Sequence, residues 1–297
     1  MTSPHFSQDA QVYDVIAPPV AQLAINQVTT YHWSLLEDVT GYREAGIGAI
    51  GLWRPKLVEF GEERAVELLR DSGLVVSSLS WAGGFTGTND QPFDDAVDDA
   101  RDALRLAAAA GAECLVIFAG SRNNHTFNHA RGLVVDALRM LADEAGERGL
   151  VLAVQPMHPM FYHAWSFLNG LDETLEVIDL CRHPAVGLAF DVYHLWQEPR
   201  LVQRIPEIVP VTALVQLNDW RDPPRSAHDR CLPGDGVIPL SDILQGFIGA
   251  GYAGHYEIEI WSEELWNADY RELIGCCRSR FQVLCGLRRG GRAEQLL

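Results

Sequence analysis

Eight short apolar runs recur along this chain, and between successive runs lie amphipathic stretches with apolar residues at helical spacing. The runs fall at 22–26, 49–53, 75–80, 114–118, 151–155, 187–191, 213–218 and 256–260. Intervening stretches such as EERAVELLRDSG and DDAVDDARDALRLAAAAG finish on glycine, a helix stop signal. Strand alternating with helix predicts a parallel sheet with crossover helices, and eight such units are a full set for a closed (β/α)8 TIM barrel. The 297 residues suit one domain of that kind, with no shift in composition to mark a linker. Residues 1–19 read as an N-terminal arm and 288–297 as a loose tail, either of them suited to homodimer contacts. The sixth crossover, RLVQRIPEIV, is the shortest, and Pro206 is expected to break it.

Charge narrows the partners. A formal net charge of −17 opposes binding to nucleic acid, which is gripped by clustered Lys and Arg. No apolar run approaches the roughly 20 residues that span a bilayer, and the first residues lack a basic start and apolar centre, so the expected location is the cytoplasm and no membrane is involved. Six cysteines show no paired spacing and read as reduced, structural thiols. Lys56 is the single lysine; it alone could form a Schiff base, but its place just past a strand reads as a solvated loop.

Four of the runs end in a polar residue: VLAVQPMHP in Gln155, GLAFDVYH in Asp191, ALVQLNDW in Gln216 and HYEIEIWS in Glu259. Polar groups at the carboxyl ends of barrel strands are where such folds carry chemistry. His194 follows Asp191 by three residues and is a proton-transfer candidate near neutral pH. His158 occupies the loop after Gln155. Glu257 shares a face with Glu259 by the period of two and should lie deeper, where it needs a partner. Trp53, Trp81, Trp220 and Trp261, with Phe118, sit at or just after strands and offer flat apolar walls to a ligand.

This pattern resembles the sugar phosphate isomerase/epimerase family, the xylose isomerase-like barrels, whose members carry Glu-Pro, Asp-x-x-His, a seventh-strand His and a final Glu around one divalent cation. The resemblance places Asp191, His194 and Glu259 in their usual roles and puts Gln155 and Gln216 where a glutamate and a histidine would stand. An amide cannot take a proton at neutral pH, so two-base epimerisation loses one of its bases. The same resemblance matches Arg230, ahead of Gly234, Asp235 and Gly236, to a substrate-contacting arginine, with Arg225 and His228 as alternatives in the same loop. An arginine fork suits a carboxylate or phosphate, and a surface ion pair with Asp229 or Asp235 is the plainer reading.

The leading expectation is an enzyme that moves protons on a carbonyl-bearing small molecule through an enolate, by isomerisation, epimerisation, dehydration or cyclisation. Its substrate would be aromatic or polycyclic, as in specialised metabolism. Glu259 and His194 form the acid–base pair and Asp191 orients them, while Gln155, Gln216, His158, Arg230 and the four tryptophans bind substrate. No cofactor is expected; if one Mg²⁺ or Mn²⁺ is retained, Gln155, Asp191, Gln216 and Glu259 would hold it. A metal-dependent sugar epimerase or inosose-type dehydratase, and a non-catalytic binding barrel, are the rival readings.

Overall fold

The computed structural model describes residues 22–87 and 90–286, so the expected arm and tail lie outside the described residues. Eight parallel strands close into a barrel: β1 (Leu23–Asn26), β2 (Ala49–Trp53), β3 (Val75–Gly83), β4 (Ala112–Phe118), β5 (Val151–Val154), β6 (Val186–Asp191), β7 (Thr212–Leu217) and β10 (Tyr256–Ile258). Each strand pairs with its neighbours in chain order, and β1 closes the ring against β10. All eight expected runs are strands. β3 runs three residues beyond expectation, which puts Trp81 inside it. β5, β7 and β10 stop just short of Gln155, Asn218 and Glu259, although the backbone N–H groups of Gln155 and Glu259 still donate across to Ile117 and Leu217.

The crossover helices are α1 (Leu35–Glu44), α2 (Arg54–Phe60), α3 (Glu62–Ser72), α4 (Phe93–Ala110), α5 (Phe127–Glu147), α6 (Leu171–Cys181), the one-turn α7 (Val192–Leu195), α8 (Leu201–Ile208), α9 (Leu240–Gly249) and α10 (Tyr270–Leu284). Ser34 and Glu37 form a capping box at the start of α1, each satisfying the other's backbone N–H. Pro206 does not break α8; Leu201, Ile205 and Ile208 are buried along one face, and that packing outweighs the lost hydrogen bond. No helix among the described residues is long and apolar enough to cross a membrane. All six cysteines are free.

Two cores follow from the alternation of strand side chains. The larger lies between barrel and helices. The smaller fills the inside of the barrel with Cys114, Val116, Ala153, Ala189 and Leu214. Two residues further along β5, β6 and β7 the inward positions turn polar, at Gln155, Asp191 and Gln216, so the interior passes from an apolar plug to a polar floor. Glu257 belongs to that floor, as its spacing from Glu259 predicts. Its carboxylate accepts from Asn26, Ser77, Ser78 and Gln216 at 2.7–3.1 Å. It has room because β2 presents Gly51 there; a Cβ at that position would stand 2.3 Å from the Glu257 carboxylate.

Lys56 departs from its reading as a solvated loop lysine. It lies in α2, 5% exposed, with Nζ 2.8 Å from Asp38 and 2.8 Å from the Thr30 carbonyl. Asp38 also accepts from Gln27 and Thr30, so the pair is a closed polar knot beneath α1 and α2. Removing one partner of such a pair strands the other charge in the interior. Asp38→Ala should therefore lower the unfolding free energy by about 3–5 kcal/mol in denaturant titration. Breaking the exposed Arg204–Asp172 pair should cost less than about 1 kcal/mol.

Candidate functional site

Asp191 ends β6 and begins α7, and its side chain accepts the Tyr193 N–H at 2.8 Å as the helix cap. That cap turns the chain so that His194, three residues on, faces the cavity. The other Asp191 contacts are Asn218 Nδ2 at 2.9 Å and Arg230 Nη1 at 2.8 Å. Burial alone would raise this carboxyl, but Arg230 and the hydrogen bonds outweigh it and hold the group below the ordinary value.

Arg230 reaches the mouth on a small antiparallel ribbon, β8 (Asp219–Trp220) paired with β9 (Arg230–Cys231). Neither strand was foreseen from the sequence. Asp219 ties down the loop: its carboxylate accepts the backbone N–H groups of Trp220, Gly234 and Ile238 at 2.8–3.0 Å. Gly236 packs so close that a Cβ would meet Asp219 and the Trp220 carbonyl at 2.3–2.4 Å. The Arg230 guanidinium is 6% exposed, lies 4.6 Å from the Tyr193 ring centroid and stands 3.7 Å from Glu259. It pairs with these inner carboxylates rather than with Asp229 or Asp235. Asp229 is instead held by Arg221 and Arg225, and Asp235 by Arg280.

His194 Nδ1 accepts the His158 backbone N–H at 3.1 Å, which leaves the proton of the neutral ring on Nε2. That nitrogen stands 3.6 Å from Asp191 and 3.3 Å from Arg230 Nη2, which is itself a donor and makes no hydrogen bond with it. Burial lowers the imidazole to about 3, so at neutral pH it is an uncharged donor. Glu259 is the opposite case. Burial, reinforced by the charges of Asp191 and Glu257 and opposed by Arg230, pushes it up to about 8, and Trp261 Nε1 donates to it at 3.2 Å.

A pocket open to solvent lies over these groups. Gln155, His194, His228, Arg230 and Glu259 form its polar side, and Trp81, Trp261, Trp165, Phe161 and Met157 its apolar side. The Trp81 and Trp261 rings are stacked, 5.4 Å between centroids and 18° apart. Gln216 lies beneath, accepting from Gln155 Nε2 at 2.7 Å.

Of the site residues named from sequence, Asp191 and Gln216 do not line the cavity itself, and His158, Trp220 and Trp53 stand apart from it. His158 turns its ring to Gln197 and the Met160 N–H and packs on Trp220. Trp220 is buried against Tyr193 and Trp196, and Trp53 stands behind Trp261 at 6.2 Å. Sequence reasoning missed Phe161 and Trp165, in the long segment between β5 and α6, where no period marks a strand end. It also missed Asn218, whose place one residue beyond a strand was the available signal.

A model of the xylose isomerase-like TIM barrel matches residues 41–280. The chain belongs to that family. A solved protein from Sinorhizobium meliloti 1021, SMc04130, shares 32% identity over 90% of this chain and 99% of its own, with a TM-score of 0.85. An L-ribulose 3-epimerase shares the fold at a TM-score of 0.75 and 16% identity, over 89% of this chain and 94% of its own. The 3-dehydroshikimate dehydratase of Pseudomonas putida is 23% identical over 80% of this chain. This chain spans only 38% of that relative's length.

The raised Glu259 carboxyl has a consequence for stability. The folded state keeps its proton up to about 8, whereas the unfolded state releases it near 4.5. The contribution of this group is therefore full below about 4.5 and is lost as pH rises through about 8. Thermal melts at pH 5 and pH 9 should show the wild type losing stability relative to Glu259→Gln, by at most about 1.4 kcal/mol per pH unit.

Proposed function

We propose that this barrel catalyses acid–base proton transfer on an uncharged, flat-ringed carbonyl compound, with Glu259 as the group that takes and returns the proton. The observation that carries the reading is the position of Glu259: buried, at the edge of the cavity, with a carboxyl pushed up to about 8. In its ionised form such a carboxylate is a stronger base than an ordinary one, matched to removing a proton from carbon next to a carbonyl near neutral pH. The His194 Nε2–H is placed to donate to the oxygen on which charge then develops.

One base favours some outcomes over others. Gln155 cannot accept a proton from the opposite face, so inversion by two bases has no second partner at that position. A single carboxyl suffices for loss of water from a β-hydroxy ketone. Glu259 removes the α-proton, the enolate forms, and the proton is handed to the departing hydroxyl. The products are an enone and water, and the carboxylate is restored. The likeness to a protein named 3-dehydroshikimate dehydratase supports this branch, and the epimerase shares only the fold.

Substrate class follows from the walls. Tryptophan and phenylalanine faces favour a planar ring. Arg230 is the one lysine or arginine among the lining residues, and its charge is already offset by Asp191 through Nη1, so a carboxylate or phosphate gains less there than at an unpaired arginine.

A panel of cyclic β-hydroxy ketones, followed by the ultraviolet absorbance of the enone, tests the reading. Glu259→Gln should lower kcat by about 10²–10⁴-fold while ligand affinity stays within a few-fold. Treatment with a chelator should leave turnover unchanged. Undiminished kcat in Glu259→Gln would sink the assignment.

A further inference from the structure

A divalent cation needs several donors converging on one point with lone pairs to spare. The residues at the positions that the family resemblance assigns to a cation do not meet that need. The Gln216 carbonyl is taken by the Gln155 amide at 2.7 Å, and the Gln216 amide turns away to Glu257 at 3.1 Å. Asp191 and Glu259 converge instead on a single nitrogen, Arg230 Nη1, at 2.8 and 3.7 Å. Among the described residues, no three of His, Cys, Asp or Glu are grouped so as to hold a metal ion.

We propose that Arg230 is a tethered cation standing where the resemblance would place a divalent ion, and that it both keeps such an ion out and supplies positive potential to the reacting oxygen. Three features separate it from an ordinary surface arginine. Its guanidinium is buried beside a buried carboxylate, it is layered on Tyr193, and its strand is delivered by a loop pinned through Asp219. A guanidinium does not shed its proton to make way for a metal. An ion entering between Asp191 and Glu259 would meet a like charge at close range in a weakly screened interior. The same fork lies 3.3 Å from His194 Nε2, so a carbonyl oxygen accepting from that N–H sits within the field of the guanidinium.

The electrostatic role rests on the proton-transfer reading given above, whereas the exclusion of metal does not; the two are therefore measured apart. Metal exclusion is read from Mn²⁺ titration followed by electron paramagnetic resonance, on full-length protein freed of ions with chelator. Wild type should show no saturable binding below roughly 1 mM, weaker than ordinary carboxylate sites. Arg230→Met leaves Asp191 and Glu259 facing an uncompensated gap and should bind one Mn²⁺ at least about 100-fold more tightly, a gain erased by adding Asp191→Asn. Stoichiometric Mn²⁺ on the wild type, lost in Asp191→Asn, overturns the proposal without requiring the Arg230 variant to fold. A folded Arg230→Met that takes up no more ion than wild type overturns it as well.

The second half is read from Arg230→Lys, which keeps a charge but not the planar fork. It should still exclude Mn²⁺ and lose at least about 10-fold in kcat, with KM changed less. Full kcat in this variant would end the electrostatic role while leaving proton transfer by Glu259 intact.

Discussion

The Asp191–Arg230 ion pair, 2.8 Å long with both partners buried, holds together segments that lie far apart in the chain. Asp191 closes β6, caps α7 and thereby aims His194; Arg230 brings the β8–β9 ribbon over the barrel and stands beside Glu259. Bringing two charges out of water is costly, and good geometry with further hydrogen bonds is what offsets the cost. Here Asn218 and the Tyr193 N–H satisfy the rest of the carboxylate, and the Tyr193 ring supports the guanidinium. Arg230 holds Asp191 ionised, while burial, reinforced by the charge of Asp191, dominates at Glu259, so the two carboxyls are driven in opposite directions.

Beneath the mouth a second polar layer solves a different problem. Glu257 is fully buried, and it is saturated by four donors from β1, β3 and β7 rather than by an opposite charge. Gln216 links the layers, since it is in register with Asp191 on one side and with Glu257 on the other. The two amides form a short relay, Gln155 donating to Gln216 and Gln216 to Glu257.

The barrel was legible because strand and helix periods are local: β2 was placed to the residue, and the inward parity of Gln155, Asp191, Gln216, Glu257 and Glu259 follows from a period of two. What side chains do beyond a strand end is set by loops, and there the sequence says less. Lys56 sits in the first turn of α2 and reaches back to Thr30 and to Asp38 of α1, which no local pattern reveals. His158 and Trp220 are drawn to one another and away from the cavity, while Trp165 arrives from a segment without periodicity. Arg230 was singled out from its loop, yet its partners belong to strands about forty and thirty residues distant, so its inward turn could not be read from its neighbours.

The stacked Trp81 and Trp261 rings give the cavity an optical property of its own. Two indoles at that separation share their excited states, so their near-ultraviolet transitions couple into a paired circular-dichroism signal. A guest that slides against one ring and tilts it uncouples the pair. The wall that contacts the guest is thereby also an intrinsic chromophore for occupancy, needing no attached label.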